Sequence, residues 1–140
     1  MASLRMYAPA RFTRTAEVRA VLDPHENGGQ ECDRQVVWFD GLTLAEAQRL
    51  LALMPPEQAR DRQNCAPSFA EMVALGARYP DMRFHGYRVD PSRSDERVTL
   101  EGFYIPVEFG EDMLAEVRYL PDEWDEITID GRPYFRAWWD

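Results

Sequence analysis

Residues 83–105 read RFHGYRVDPSRSDERVTLEGFYI. Two strand-like runs, RFHGYRVD and RVTLEGFYI, flank the turn-forming stretch PSRSDE, and this spacing predicts a β-hairpin. Hairpin-linked strands are antiparallel. Any helix beside such a hairpin must find an apolar sheet face to rest on, so this stretch points the chain toward an α+β fold.

Working toward the N-terminus, two segments supply those helices. Residues 43–55 (TLAEAQRLLALMP) and 68–80 (SFAEMVALGARYP) both open with the S/T-x-x-E spacing of a capping box, Thr43 with Glu46 and Ser68 with Glu71. Leu44, Ala47, Leu51 and Met54 recur at helical spacing, as do Phe69, Met72, Val73, Gly76 and Tyr79. Pro55 and Pro80 end the two helices, because a proline disfavours helical backbone at the residue before it. The connection PPEQARDRQNCAP leaves room for one further turn with Pro56 at its first position. Further upstream, Phe12, Ala16, Val18, Ala20 and Leu22 alternate with polar residues, which predicts a half-buried strand over 11–22. The turn-rich DPHENGGQECD follows, then RQVVWFDG, read as a strand buried on both faces and paired with the first across a long loop.

Toward the C-terminus, residues 106–120 suit either a short helix, through Met113, Leu114 and Val117, or a strand, through Met113, Ala115, Val117 and Tyr119; Glu111 and Asp112, placed for a helix N-terminus, tip the reading to helix. EITIDGRPYFRAWWD then forms a hairpin with Asp130-Gly131 in the tight loop. The whole predicts one α+β domain over residues 1–140: two layers, with an antiparallel sheet of about six strands from three hairpins and two amphipathic helices on one face.

Composition narrows the function. With 140 residues and 45% hydrophobic content, the chain can bury a core without staples. No apolar run approaches the ~20 residues that span a bilayer, and no export signal is apparent, so a cytoplasmic protein without a membrane partner is expected. All 16 basic residues are arginine. A Schiff-base lysine and a P-loop lysine are therefore excluded, and no cofactor is expected. Residues 101–140 hold 3 arginines against 11 acids, a net of −8, out of −9 for the chain. That balance disfavours nucleic acid as a partner.

Several side chains carry potential chemistry. His25, Cys32, Cys65 and His85 lack the close ligand pairs of zinc sites, and no metal is expected. Cys65 lies three residues before the Ser68 cap, where a helix N-terminus favours a thiolate, and His85 would serve as its base if the fold joined them. Arg83, Arg88, Arg93 and Arg97 could grip an anion, but Asp90, Asp95 and Glu96 are interleaved, which favours cross-strand ion pairs. In a strand, Trp138 and Trp139 point to opposite faces. One fills the core; the other is a candidate partner-binding residue. With no catalytic motif present, the leading expectation is a protein-interaction or regulatory module that binds a protein partner or itself as a dimer. The alternative is a small enzyme or ligand-binding domain centred on Cys65 and His85.

Overall fold

The computed structural model describes residues 11–27 and 35–140. Among these, five strands form one sheet: β1 (Val36–Thr43), β2 (Arg83–Val89), β3 (Arg97–Pro106), β4 (Glu123–Ile129) and β5 (Arg132–Trp138). Their order is β1-β2-β3-β5-β4, and every neighbouring pair is antiparallel. The helices are α1 (Ala16–Leu22), α2 (Leu44–Leu53), α3 (Pro56–Arg60), α4 (Phe69–Arg78) and α5 (Gly110–Leu114).

Local chemistry accounts for most of these boundaries. Both capping boxes are closed reciprocally: Thr43 and Ser68 accept from the Glu46 and Glu71 backbone N–H groups, and each glutamate accepts from its cap residue's N–H. Pro56 occupies the first turn of α3. The β4–β5 hairpin turns on Asp130 (φ 51°) and Gly131 (φ 80°), both left-handed as a two-residue type I′ loop requires. The β2–β3 hairpin forms as read, from Arg83↔Tyr104 to Val89↔Arg97.

The N-terminal reading needs correction. Residues 11–22 are helical: a 3₁₀ turn over Phe12–Arg14, then α1. The sheet therefore has five strands among the described residues, and β1 pairs with β2 instead of an upstream strand. Alternation of Ala16, Val18, Ala20 and Leu22 was misleading because alanine tolerates either environment. The residues actually buried are Val18, Val21 and Leu22, at helical spacing, and Thr15 caps α1 by accepting from the Val18 N–H. Nor is β1 buried on both faces. Val37 and Phe39 face the core, whereas Val36 and Trp38 are half-buried on the other side.

One contiguous core joins the helices to the sheet through Leu22, Phe39, Leu42, Leu50, Met72, Phe84, Leu100, Phe103 and Trp139. The approach of α4 is close. A Cβ on Gly76 would lie 2.9 Å from both Leu44 Cδ1 and Phe84 Cζ. Strand β5 pairs with β3 only over Gly102–Pro106, which leaves the first half of β3 without a strand on that side among the described residues. Gln58 of α3 substitutes there, its Oε1 accepting from the Val98 N–H at 2.8 Å.

The N-terminal helical segment is tied to the hairpin by charge. The buried Glu96 carboxylate accepts from the Arg11 N–H (2.6 Å), the Thr13 N–H (2.9 Å) and the Thr13 hydroxyl (2.6 Å). Arg14 pairs with Asp90 at 2.6 Å, and Glu26 accepts from Arg88 at 2.6 Å. Removing the Glu96 carboxylate strands buried donors at Thr13. Glu96→Ala is expected to lower the unfolding free energy by about 2–3 kcal/mol in urea titration, whereas the exposed Glu111→Ala should leave it nearly unchanged.

Candidate functional site

Two β-bulges shape the sheet. In β1 the register steps from Phe39↔Gly86 to Leu42↔Phe84, so Asp40-Gly41 carries one extra residue. In β3 it steps from Gly86↔Leu100 to His85↔Gly102, so Glu101 is extra. Bulges bend their strand and sharpen its twist. The result is visible in one cavity. Asp40 and Gly41 on the β1 edge, Arg83 on β2, Tyr104 on β3, and Ile127 and Ile129 on the β4 edge line the same open concavity of about 400 Å³. Residues from opposite edges can share a cavity only if the face between them is concave.

This face is the one opposite the core, and the register assigns its rows. Trp38 stands beside Tyr87; Tyr104 beside Arg83 and Arg136; Gly102 beside His85 and Trp138; Tyr134 beside Ile127. Trp38 and Tyr87 meet edge to face at 5.3 Å, and His85 lies 5.2 Å from the Tyr104 ring. Guanidinium groups cover the aromatics: Arg97 over Tyr87, Arg136 over Trp138 and Arg132 over Tyr134, at 5.1–5.6 Å. The Tyr104 hydroxyl donates to Asp40 at 3.1 Å.

The face also carries ionisable groups displaced from their ordinary ranges. His85 is buried under its neighbours, with Nε2 3.2 Å from the Ala137 carbonyl. A Cβ on Gly102 would sit 2.7 Å from His85 Cε1, so glycine there makes room for the ring. Burial holds the imidazole down to about 4, Asp40 opposing and Arg136 assisting. Glu101, buried at the bulge, is pushed up to about 7 by desolvation and the nearby Asp140, against a hydrogen bond from Trp138 and the charge of Arg136. Burial and the adjacent Asp40 raise Tyr104 to about 12.

The residues singled out from sequence fall in different places. Cys65 is exposed in a left-handed turn with Asn64 (φ 63° and 55°). It lines a separate cleft of about 150 Å³ with Arg62, Glu71, Arg78, Glu116 and Arg118. His85 does not line that cleft, so the fold does not assemble the Cys65–His85 pair. Arg62 forms a bidentate pair with Glu71, which holds that carboxyl down to about 2, the Ser68 backbone N–H assisting. Arg88 is engaged by Glu26 and Asp90, Arg93 by Asp95, and Arg97 by Asp95 and the Tyr87 hydroxyl. Arg83 alone of the four makes no ion pair among the described residues, and it opens into the concavity. Trp139 is core, touching Phe103 at 5.6 Å and donating its indole N–H to the Tyr119 carbonyl; Trp138 is half-buried on the concave face. His25 lies against Glu46 at 2.7 Å, and Cys32 falls outside the described residues. Among the described residues no three potential metal ligands converge, and no helix is long and apolar enough to cross a membrane.

Sequence reasoning missed Trp38, Tyr87, Tyr104, Asp40, Ile127 and Ile129 as one surface. Trp38 and Tyr104 alternate with core residues in their strands, whereas Ile127 and Ile129 flank the exposed Thr128, and the surface exists only once the strand order is known.

The titration of Glu101 is testable. An unfolded glutamate titrates near 4.5 and the folded one at about 7, so the folded state holds the proton more tightly. The associated stability is complete below pH 4.5 and is lost as pH rises through 7. Glu101→Gln preserves an acceptor for Trp138 and removes the charge. In paired urea titrations it is expected to exceed the parent at pH 8 by on the order of 1–2 kcal/mol, a figure discounted for solvent screening. The gap should close toward pH 4.5. The His85 contribution is common to both proteins and cancels. Beyond these geometric findings, no protein-family model matches this chain, and neither a curated protein nor a solved structure is significantly similar to it.

Proposed function

We propose that this chain is a non-catalytic protein-interaction module, built as two layers, with its helices on one sheet face and a protein partner docking on the other. One observation carries the reading. Trp38, Tyr87, Tyr104 and Trp138 stand half-buried on a sheet face opposite the one on which α2 and α4 rest. Aromatics of this kind are enriched in interfaces, where they bring large area at small entropic cost. Charge selects the partner. Three of the face's arginines are already offset by carboxylates: Arg97 by Asp95, Arg136 by Glu123, and Arg132 by Asp81 and Glu108. The chain as a whole carries −9. A basic protein therefore fits better than an acidic one or a nucleic acid.

Self-association through the open edge of β4 is the weaker form of this reading. Glu123, Asp125 and Glu126 lie along that strand, and like charges there oppose pairing with a second copy.

Affinity capture from the cells that make the protein, with light scattering on the purified chain, tests the proposal. The wild type and Cys65→Ser should retain the same basic partner. Trp38→Ala and Trp138→Ala should each weaken it about 30-fold, the effect of losing a hot-spot aromatic worth about 2 kcal/mol. Undiminished capture by both tryptophan variants, or a monomer that captures nothing, would sink it.

A further inference from the structure

The concavity at one end of this face has a composition the docking reading does not need. Its walls are Ile127, Ile129, Gly41 and the Tyr104 ring; its charged groups are one arginine, Arg83, and one carboxylate, Asp40. The two are not joined to each other: Arg83 makes no ion pair among the described residues, and Asp40 uses Oδ2 to accept from Tyr104, leaving Oδ1 uncommitted. The volume of about 400 Å³ falls within the range of small-molecule sites. Such sites are mostly apolar with a few placed polar groups.

We propose that this concavity binds a free α-amino acid with an apolar side chain. The Arg83 guanidinium takes the carboxylate, Asp40 takes the ammonium, and the side chain lies against Ile127, Ile129 and the Tyr104 ring. A simple carboxylate would use Arg83 but face Asp40 at a repulsive approach. A simple amine would do the converse. A zwitterion satisfies both, because the site is itself a separated pair of opposite charges. The Tyr104 hydroxyl, by donating to Asp40, fixes the orientation of that carboxylate before the ligand arrives. Further along the same row, Arg136 pairs with Glu123 at 3.2 Å and also acts on the Tyr104 hydroxyl, outside the lining of the concavity itself.

This site goes beyond the partner surface and stands or falls without it, since its test contains no protein partner. Binding is read by calorimetry, and by amide resonance shifts at Tyr104, Ile127 and Ile129, with L-leucine, N-acetyl-L-leucine, L-leucinamide and glycine as probes. Leucine is expected to bind at least about tenfold tighter than each of the other three, each missing group costing about 1.4 kcal/mol or more. Arg83→Gln should erase the preference for leucine over leucinamide. Asp40→Asn, which keeps an acceptor for Tyr104, should erase the preference for leucine over N-acetyl-leucine. Both positions are at the protein surface, and unchanged thermal melts would show the variants folded. No resonance shift with millimolar leucine, shifts on another surface, or equal binding of all probes to the wild type would overturn the proposal. So would either variant retaining the preference assigned to the residue it removes.

Discussion

The extra residue at Glu101 bends β3, and the outer face takes its shape from that bend. On one side of the bulge, Val98 and Leu100 point into the core; on the other, Phe103 and Ile105 do so. Without the inserted residue, one of these pairs would turn to the opposite face, because side chains alternate strictly along a strand. The bulge therefore keeps both halves of a ten-residue strand facing the helices while it curls the sheet. Glycine follows directly at Gly102, and the space it leaves is filled by His85. The same bulge brings the Glu101 carbonyl to the Trp139 N–H at 3.0 Å, extending contact with β5 past its last paired residue. A carboxyl side chain is the cost of this arrangement: Glu101 is held where water cannot solvate it well, and its titration near neutrality follows.

A second constraint runs through the charged side chains between the N-terminal segment and the β2–β3 hairpin. Arg14, Arg19 and Arg88 converge on Asp90 and Glu26, while Glu96 takes three hydrogen bonds from residues 11–13. Sequence alone favoured ion pairs between the hairpin arginines and the interleaved acids, with an anion grip as the alternative. The fold supplies a carboxylate to Arg88, Arg93 and Arg97, and so separates Arg83 from them. A lysine-free chain makes this economical in hydrogen bonds. Guanidinium groups can bridge two carboxylates at once, as Arg88 does between Glu26 and Asp90 and Arg132 between Asp81 and Glu108.

Elements whose physics is local were legible in the sequence. Two capping boxes, the proline stops, the Asp130-Gly131 turn and the β2–β3 hairpin all depend on residues within a few positions of one another; residues 106–120 fitted both a helix and a strand pattern, and the structure makes a short helix of Gly110–Leu114. Residues 11–22 were not legible, because alternating alanines satisfied a strand pattern while Thr15 and the Val18/Val21/Leu22 set encoded a helix. The outer face lay further out of reach. It depends on β1 crossing to β2 after three helices and on β5 inserting between β3 and β4, and neither follows from any local spacing. The tryptophan pair shows both sides of this. Opposite orientation for Trp138 and Trp139 follows from strand geometry alone, but the identity of the core residue depends on which face the helices cover.

The unequal charge of the chain can be traced to the same topology. The last 40 residues carry most of the excess acid, and they build the second half of β3, α5, β4 and β5. β4 is an edge strand, with one side paired to β5 and the other bearing backbone donors and acceptors without a strand partner among the described residues. Placing Glu123, Asp125 and Glu126 along that edge opposes pairing with a second copy of the same strand, since it would crowd six carboxylates onto two short strands. The acids stop where the strand turns inward: Ile127 and Ile129 replace them on the concave side. The strand is thus repulsive along its start and apolar at its end. Negative charge along the edge opposes sheet extension, and the apolar end joins the lining of the concave face.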